Sequence, residues 1–258
     1  MKLPFSLNPG FIAPYRSRPT TFGWNGLGEF VFKRTYARDD ETWVDVCTRV
    51  INGMFSIQKV HCLTNGVMWD EEKAQRSAME AFDLLFDMKW TPPGRGLWMM
   101  GTPFIHDRLV PESLQNCAFK STQFIAENPG EPFRWLMENS MLGVGVGFDT
   151  LGAGCVLVKG TDRNVVPVTY SIPDSREGWA SSVAYLINAY VQGHAEPCFD
   201  YSQIRPQGQL IKGFGGVASG PEPLIALHKS VTEILNRRRG TTLASTDIVD
   251  INNLIGRC

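Results

Sequence analysis

Glu112-Ser113-Leu114-Gln115-Asn116-Cys117-Ala118-Phe119 opens the stretch whose reading decides the fold. A short apolar run starts at Cys117, an amphipathic segment follows over about 131–142, and then comes Gly143-Val144-Gly145-Val146-Gly147-Phe148. Short apolar runs punctuated by glycines and interleaved with helical stripes are an α/β texture. Strands are predicted near 117–123, 145–149, 155–158 and 198–202, the last continuing beyond a turn at Pro206-Gln207-Gly208. Helices are predicted over about 131–142, 176–191, 222–238 and 246–256. In the last two, Leu224, Leu227, Val231 and Ile234, then Ile248, Ile251 and Ile255, keep the helical spacing, and Ser245 or Thr246 is placed to cap the final one.

Toward the N-terminus the texture changes. From Asp40 the pattern is helical, with Trp43, Val46, Cys47, Val50 and Ile51 on one stripe behind an acidic first turn. A second helix starts near Asp70, its cap, and carries Ala74, Ala78, Ala81, Phe82, Leu85 and Phe86 inward. Residues 1–30, rich in Pro, Gly and aromatics without periodicity, read as an extended arm lying on the rest of the molecule. The expected organisation is thus an arm over 1–30, a helical region over 31–90 and an α/β region over 91–258.

The bulk numbers bound the function. The 258 residues, 43% of them hydrophobic, suffice for a sizeable core. A net charge of -1, from 25 basic and 26 acidic side chains, leaves no broad electrostatic footprint for duplex DNA or an anionic membrane. Neither a long apolar run nor a charged-then-apolar leader is seen, so a cytoplasmic setting is expected. The six cysteines are scattered without a C-x-x-C pair or a nearby histidine, and most are expected to be reduced and buried. His61, His106, His194 and His228 show no metal-ligand spacing and read as structural, so no metal site is expected. No local Ser-His-Asp set or carboxylate pair argues for hydrolysis.

Four segments are candidates for chemistry. Gly143, Gly145 and Gly147 let backbone approach a ligand where a Cβ would collide, although the spacing is not that of a dinucleotide fingerprint and there is no Walker lysine. A tight helix-to-strand turn is the plain alternative. Thr91-Pro92-Pro93-Gly94-Arg95, leading to Gly101-Thr102, sets a guanidinium beside free backbone N–H groups, which suits a phosphate as well as a structural salt bridge. Asp174-Ser175-Arg176-Glu177-Gly178-Trp179 reads first as a helix start, with Arg176 a candidate anion contact. The Gly213–Pro221 segment, with Gly215 and Gly216, is a glycine-rich loop entering a helix whose N-terminus attracts anions.

Taken together, these motifs resemble the adenosylcobalamin-dependent (class II) ribonucleoside-triphosphate reductases. The resemblance also runs through Phe32-Lys33-Arg34-Thr35-Tyr36-Ala37-Arg38, Leu97-Trp98, Ile204-Arg205-Pro206 and Asn253-Leu254-Ile255-Gly256. It implies a ten-stranded α/β barrel, of which this chain supplies the N-terminal helical layer and the first half. It also implies that Cys117, after Asn116 on the first barrel strand, is one of two thiols that reduce the ribose at carbon 2′. Arg95, Thr102, Asn116 and the glycines at 143, 145 and 147 then fall around the substrate, and Arg176, Gly215 and Gly216 near effector or phosphate groups.

Further implications concern what binds. The expected substrate is a ribonucleoside triphosphate and the cofactor adenosylcobalamin, contacted mostly outside this chain. A deoxynucleotide effector, a thioredoxin-like reductant and the C-terminal half of the reductase are the expected partners. Such enzymes are more than twice this long, and the radical-bearing cysteine and second redox cysteine fall beyond Cys258. The span between Phe148 and Asp174 is also short for the insertion that builds the effector site in monomeric members, which argues against effector control through it. The rival reading is a non-catalytic nucleotide-binding or assembly subunit.

Overall fold

The computed structural model describes residues 3–20, 22–23, 25–162, 164–211 and 216–258. The chain divides into two compact units, Met1–Asn116 and Cys117–Cys258. The division does not fall at residue 90: residues 91–116 group with the N-terminal helices.

The first unit is helical: α1 (Pro9–Ile12), a 3-10 turn (Ala13–Ser17), α2 (Leu27–Thr35), α3 (Trp43–Thr64), α4 (Glu71–Phe86), α5 (Gly94–Met99), α6 (Pro103–His106) and a second 3-10 turn (Pro111–Leu114). The stripe on α3 starts at Trp43, because Thr42 and Asp45 close a capping box: Thr42 Oγ1 accepts the Asp45 N–H at 3.3 Å and Asp45 Oδ2 accepts the Thr42 N–H at 3.1 Å. Asp70 caps α4 by accepting the Lys73 N–H at 3.0 Å. The two helices pack together, and Trp43 Nε1 donates to the Phe86 carbonyl at 3.0 Å.

The N-terminal arm does lie on this pair, but it is not extended throughout, since α1 and the start of α2 fall within it. Phe5 and Leu7 are fully buried, and their N–H groups donate to Ser56 Oγ at 3.1 Å and Asn52 Oδ1 at 2.8 Å. Each such side chain, removed from water, contributes roughly 1.5–3 kcal/mol. Tyr15 is held by Asp83 and lies edge-on to Phe82 and Phe86.

Residues 94–101 join the first unit through Arg49 on α3. Its guanidinium pairs with Glu41 at 2.7 Å and donates to the carbonyls of Met100 at 2.6 Å and Leu97 at 2.9 Å. Five donors in a fixed fork suit this arrangement, in which two backbone acceptors and one carboxylate are satisfied together. The turn approaches α3 so closely that a Cβ on Gly101 would lie 2.1 Å from the Arg49 carbonyl oxygen, and Gly101 sits at φ +78°.

The second unit consists of two strand–helix–strand units and two further helices. β1 (Cys117–Lys120), α7 (Glu131–Met141) and β2 (Gly145–Phe148) form the first; β3 (Thr169–Ser171), α8 (Arg176–Gln192) and β4 (Cys198–Asp200) form the second. β1 pairs with β2 and β3 with β4, both parallel, as helix crossovers require. α9 (Glu222–Arg237) and α10 (Ser245–Arg257) pack with α7 and α8 around Phe133, Leu136, Val183, Ile187, Leu227 and Ile251. The result is a mostly helical α/β architecture with two small parallel sheets.

Several expectations need correction. The described strands form two separate two-stranded sheets and do not by themselves make a half-barrel. The strand expected near 155–158 is an extended segment that meets 241–243 at one antiparallel bridge, Leu157 to Thr242. β3 was not foreseen, because Val168-Thr169-Tyr170-Ser171 is short and polar at alternate positions. The cap of α10 is Ala244, not Ser245 or Thr246: Asp247 reaches back to accept the Ala244 N–H at 2.7 Å, which leaves Ser245 inside the helix. Of the cysteines, Cys47 is buried, Cys62 and Cys258 are half-buried, and Cys117, Cys155 and Cys198 are exposed. No helix among the described residues is long and apolar enough to cross a membrane.

Gly101→Ala should cost about 2–4 kcal/mol, because it combines a left-handed backbone with a backbone collision that no side-chain rotation relieves. A chemical-denaturation midpoint unchanged from the parent protein would refute this account of the Arg49 turn.

Candidate functional site

The register of β1 and β2 creates the candidate site. Cys117 lies opposite Gly145, Ala118 opposite Val146, Phe119 opposite Gly147 and Lys120 opposite Phe148. Side chains alternate along a strand, so one set of positions shares each face. Ala118, Lys120, Val146 and Phe148 are half-buried, and Val146 and Phe148 pack on the core. Cys117, Phe119, Gly145 and Gly147 form the opposite, exposed face. The thiol thus stands across from a residue with no side chain.

Both ends of this sheet are fixed. At the entry, α7 ends in a Schellman motif: Gly143, at φ +71°, donates its N–H to Ser140 at 2.7 Å and Val144 donates to Asn139 at 3.1 Å. Gly143 is therefore accounted for as the helix-to-strand turn, while Gly145 and Gly147 lie on the open face. At the exit, Asp149 Oδ1 accepts the Thr122 N–H at 2.8 Å, the Thr122 hydroxyl at 2.8 Å and the Leu151 N–H at 3.2 Å. The Gly152 N–H donates to Thr122 Oγ1 at 3.0 Å. A Cβ on Gly152 would lie 2.5 Å from the Thr122 carbonyl, so the chain can close over this clamp only with glycine.

Partial burial pushes the Asp149 carboxyl up, but hydrogen bonds from Ser121, Thr122 and Leu151 outweigh it and bring its pKa down to about 2. Phe119, missed in the sequence, is the other large element of the face. It is 61% exposed, and its ring edge lies 3.3 Å from where a Cβ of Gly147 would be. The signal was legible: a residue two beyond Cys117 on one strand must share its face.

Of the other expected site residues, Asn116 is exposed immediately before β1, at the end of the first unit. Within that unit Arg95 is half-buried on α5, and its Nη1 donates to the Ser113 carbonyl at 3.3 Å. Thr102 is 2% exposed, and its hydroxyl donates to the Met99 carbonyl at 2.7 Å. Its hydroxyl serves the turn before α6 and does not face solvent. Two segments that carry the resemblance meet here: Arg38 lies over the Trp98 ring at 5.4 Å, and Tyr36 packs against Gly94.

In the second unit Ser175 caps α8 by accepting the Gly178 N–H at 3.0 Å, and Arg176 pairs with Glu177 at 2.5 Å. Arg205, from the Ile204-Arg205-Pro206 motif, pairs with Asp174 at 2.7 Å, so two segments far apart in sequence meet. Gly215 lies outside the described residues. Gly216 is exposed at φ +90°, and its carbonyl accepts the Ile211 N–H at 3.0 Å. Among the described residues no cluster of His, Cys, Asp or Glu has the grouping of a metal site.

With this geometry in place, likeness to known proteins assigns the class first. The profile of the ribonucleotide reductase alpha domain matches residues 7–102, and that of the insertion domain of B12-dependent ribonucleotide reductase matches residues 150–235. The chain is 44% identical over 265 residues to the adenosylcobalamin-dependent ribonucleoside-triphosphate reductase of Euglena gracilis, spanning 98% of this chain and 36% of that protein. A probable reductase of the same kind from Dictyostelium discoideum is 42% identical, with the same shares. A crystal structure of a B12-dependent (class II) ribonucleotide reductase superposes with a TM-score of 0.83 at 28% identity, covering 98% of this chain and 42% of that one.

The chain belongs to the class II, adenosylcobalamin-dependent ribonucleotide reductase family and corresponds to the N-terminal part of its members. It spans about 36–42% of the length of the relatives it matches. The insertion-domain match begins at residue 150, so the span between Phe148 and Asp174 falls almost wholly within it. The Lactobacillus gasseri enzyme, 30% identical, aligns over 316 residues against 258 here, so it carries additional residues within the matched span.

The folded carboxyl of Asp149, at about 2, lies below the ordinary value of about 3.9, so its contribution to stability is present above about pH 4 and lost as pH falls toward 2. Asp149→Asn should flatten the melting temperature against pH in that window and lower it at neutral pH. A variant that tracks the parent between those pH values would exclude Asp149 as the clamp.

Proposed function

We propose that this chain is the part of a ribonucleoside-triphosphate reductase that carries the floor of the ribose pocket and one of its two reducing thiols. The observation that supports this most directly is the exposed face on which Cys117 stands opposite Gly145, with Phe119 opposite Gly147. Replacing the 2′ hydroxyl by hydrogen releases water and consumes two electrons and two protons. Two thiols closing to a disulfide supply both. Cys117 offers one exposed thiol, and Gly145 leaves room beside it for the sugar to approach the backbone. A side chain at either glycine would project into that space.

The two parallel strand pairs are read as the beginning of the larger reductase barrel, completed by the C-terminal half. That half supplies the second redox cysteine and the radical-bearing residue. Arg95, Asn116 and Arg176 are retained as candidate contacts to nucleotide, whereas Thr102 serves the turn before α6. A deoxynucleotide effector and a thioredoxin-like reductant are the remaining partners of this reading.

Adenosylcobalamin, when bound, supplies the radical that starts such a reaction. One cavity of the second unit is too small for it. The cavity of about 290 Å³ between α9 and α10 is lined by Pro223, Ala226, Leu227, Ser230, Leu254, Arg257 and Cys258. It is small even for a drug-sized ligand. In this reading the corrinoid is contacted mostly by the remainder of the enzyme.

The chain alone, given adenosylcobalamin and a dithiol, should form no deoxynucleotide, and adding the C-terminal half of a close relative should restore turnover. In the restored enzyme Cys117→Ser should abolish sustained turnover with little change in melting temperature, since the substitution removes a reductant and little volume. Turnover by the isolated chain would overturn the division of labour. Undiminished turnover by Cys117→Ser would overturn the thiol assignment and favour a nucleotide-binding or assembly role.

A further inference from the structure

Away from Cys117, a hydrogen-bonded chain runs from the half-buried Tyr201 to the buried His228 and Ser182 in the second unit and has a single consistent proton order. Ser182 Oγ donates to the Trp179 carbonyl at 2.6 Å. A serine hydroxyl has only one proton, so toward His228 Nε2, 2.9 Å away, the same oxygen must accept. Nε2 therefore carries the imidazole proton. In a neutral ring Nδ1 is then the acceptor, and it lies 2.8 Å from the Tyr201 hydroxyl, which donates to it. His228 is 4% exposed and Ser182 fully buried, and burial brings the imidazole pKa down to about 3, so the ring is neutral at ordinary pH.

The phenol of Tyr201 is thus joined to a neutral imidazole nitrogen, which can take its proton over one hydrogen bond once loss of an electron makes the phenol strongly acidic. It also has an aromatic path to the surface. Phe199 stacks on the His228 ring at 4.2 Å and lies 6.2 Å from the Tyr201 ring and 5.9 Å from Tyr170. Tyr170 stacks at 4.8 Å on Tyr185, which is 36% exposed. Burial, with Cys198 nearby, pushes the phenol pKa up to about 12, so the proton stays in place until an electron leaves.

We propose that Tyr201 and His228 form a proton-coupled one-electron donor that quenches sulfur-centred radicals. A thiyl radical takes one electron from the phenol and becomes a thiolate. The phenol O–H bond breaks, its proton forms a new bond to His228 Nδ1, and a neutral phenoxyl radical and an imidazolium remain. One electron and one proton leave Tyr201, and charge is conserved. This inference does not depend on the substrate assigned to Cys117.

The test uses the full chain and thiyl radicals made by photolysis of glutathione disulfide. Electron paramagnetic resonance should show one dominant phenoxyl radical whose oxygen is coupled to a single exchangeable proton and to an imidazole nitrogen. Tyr201→Phe should remove that signal, and His228→Gln should slow its formation about tenfold or more in a protein that still melts cooperatively. Ser182→Ala, which strands the Nε2 proton, should slow it as well. A signal that survives Tyr201→Phe, for example one arising at Tyr15 beside Asp83, would overturn the proposal. So would an unchanged rate in folded His228→Gln. If that variant does not fold, absence of the exchangeable-proton and nitrogen couplings in the unmodified chain would be equally decisive.

Discussion

The parallel pairing of β1 with β2 is the constraint on which the candidate site depends. Two parallel strands cannot be joined by a tight turn, so α7 must carry the chain back, and its apolar face, with Phe133, Leu136 and Met137, fixes how far it can travel. The pairing register then decides which residues face out. A slip of one residue would move Ala118 and Val146 to the open face and turn Cys117 and Gly145 against the core. The Schellman motif at Gly143 sets the start of β2, and the Thr122–Asp149 clamp ties the two strand ends together.

The first unit obeys a different constraint. Its helices are amphipathic, and the N-terminal arm and residues 94–101 complete their burial from opposite ends of its sequence. Arg49 joins the second of these segments to α3 by satisfying two backbone carbonyls and one carboxylate, all partly buried. Buried acceptors left without donors cost roughly 1–3 kcal/mol each, which makes this arginine more than a surface ion pair. Residues that resembled a phosphate-binding loop thus have architectural partners close at hand.

The second unit buries polar groups as well as apolar ones. Tyr201, His228, Ser182 and the Trp179 carbonyl satisfy each other in sequence, so the interior between α8 and α9 can hold an imidazole without a charge. An inward-facing histidine on an otherwise apolar helical stripe was legible only as a structural residue. Its partners come from α8 and from the segment after β4, and no spacing in the chain announces that they converge.

Sequence alone determined the long helices, because the stripes of α3, α4, α9 and α10 repeat over many residues and Asp70 marks the start of α4, whereas the Thr42 cap that starts α3 was seen only in the structure. It also determined that Cys117 and the glycines at 145 and 147 fall in extended segments, and its motifs identified the family. Tertiary structure decided what those segments pair with. β3 and the 155–158 segment could not be ranked from their residues, since three or four extended positions acquire strand character only from a neighbour's hydrogen bonds. The same holds for function: Thr102 and Gly143 share motifs with candidate ligand contacts, yet burial and a helix cap account for them. Face, burial and pairing arise between elements, where the order of residues along one element carries no information.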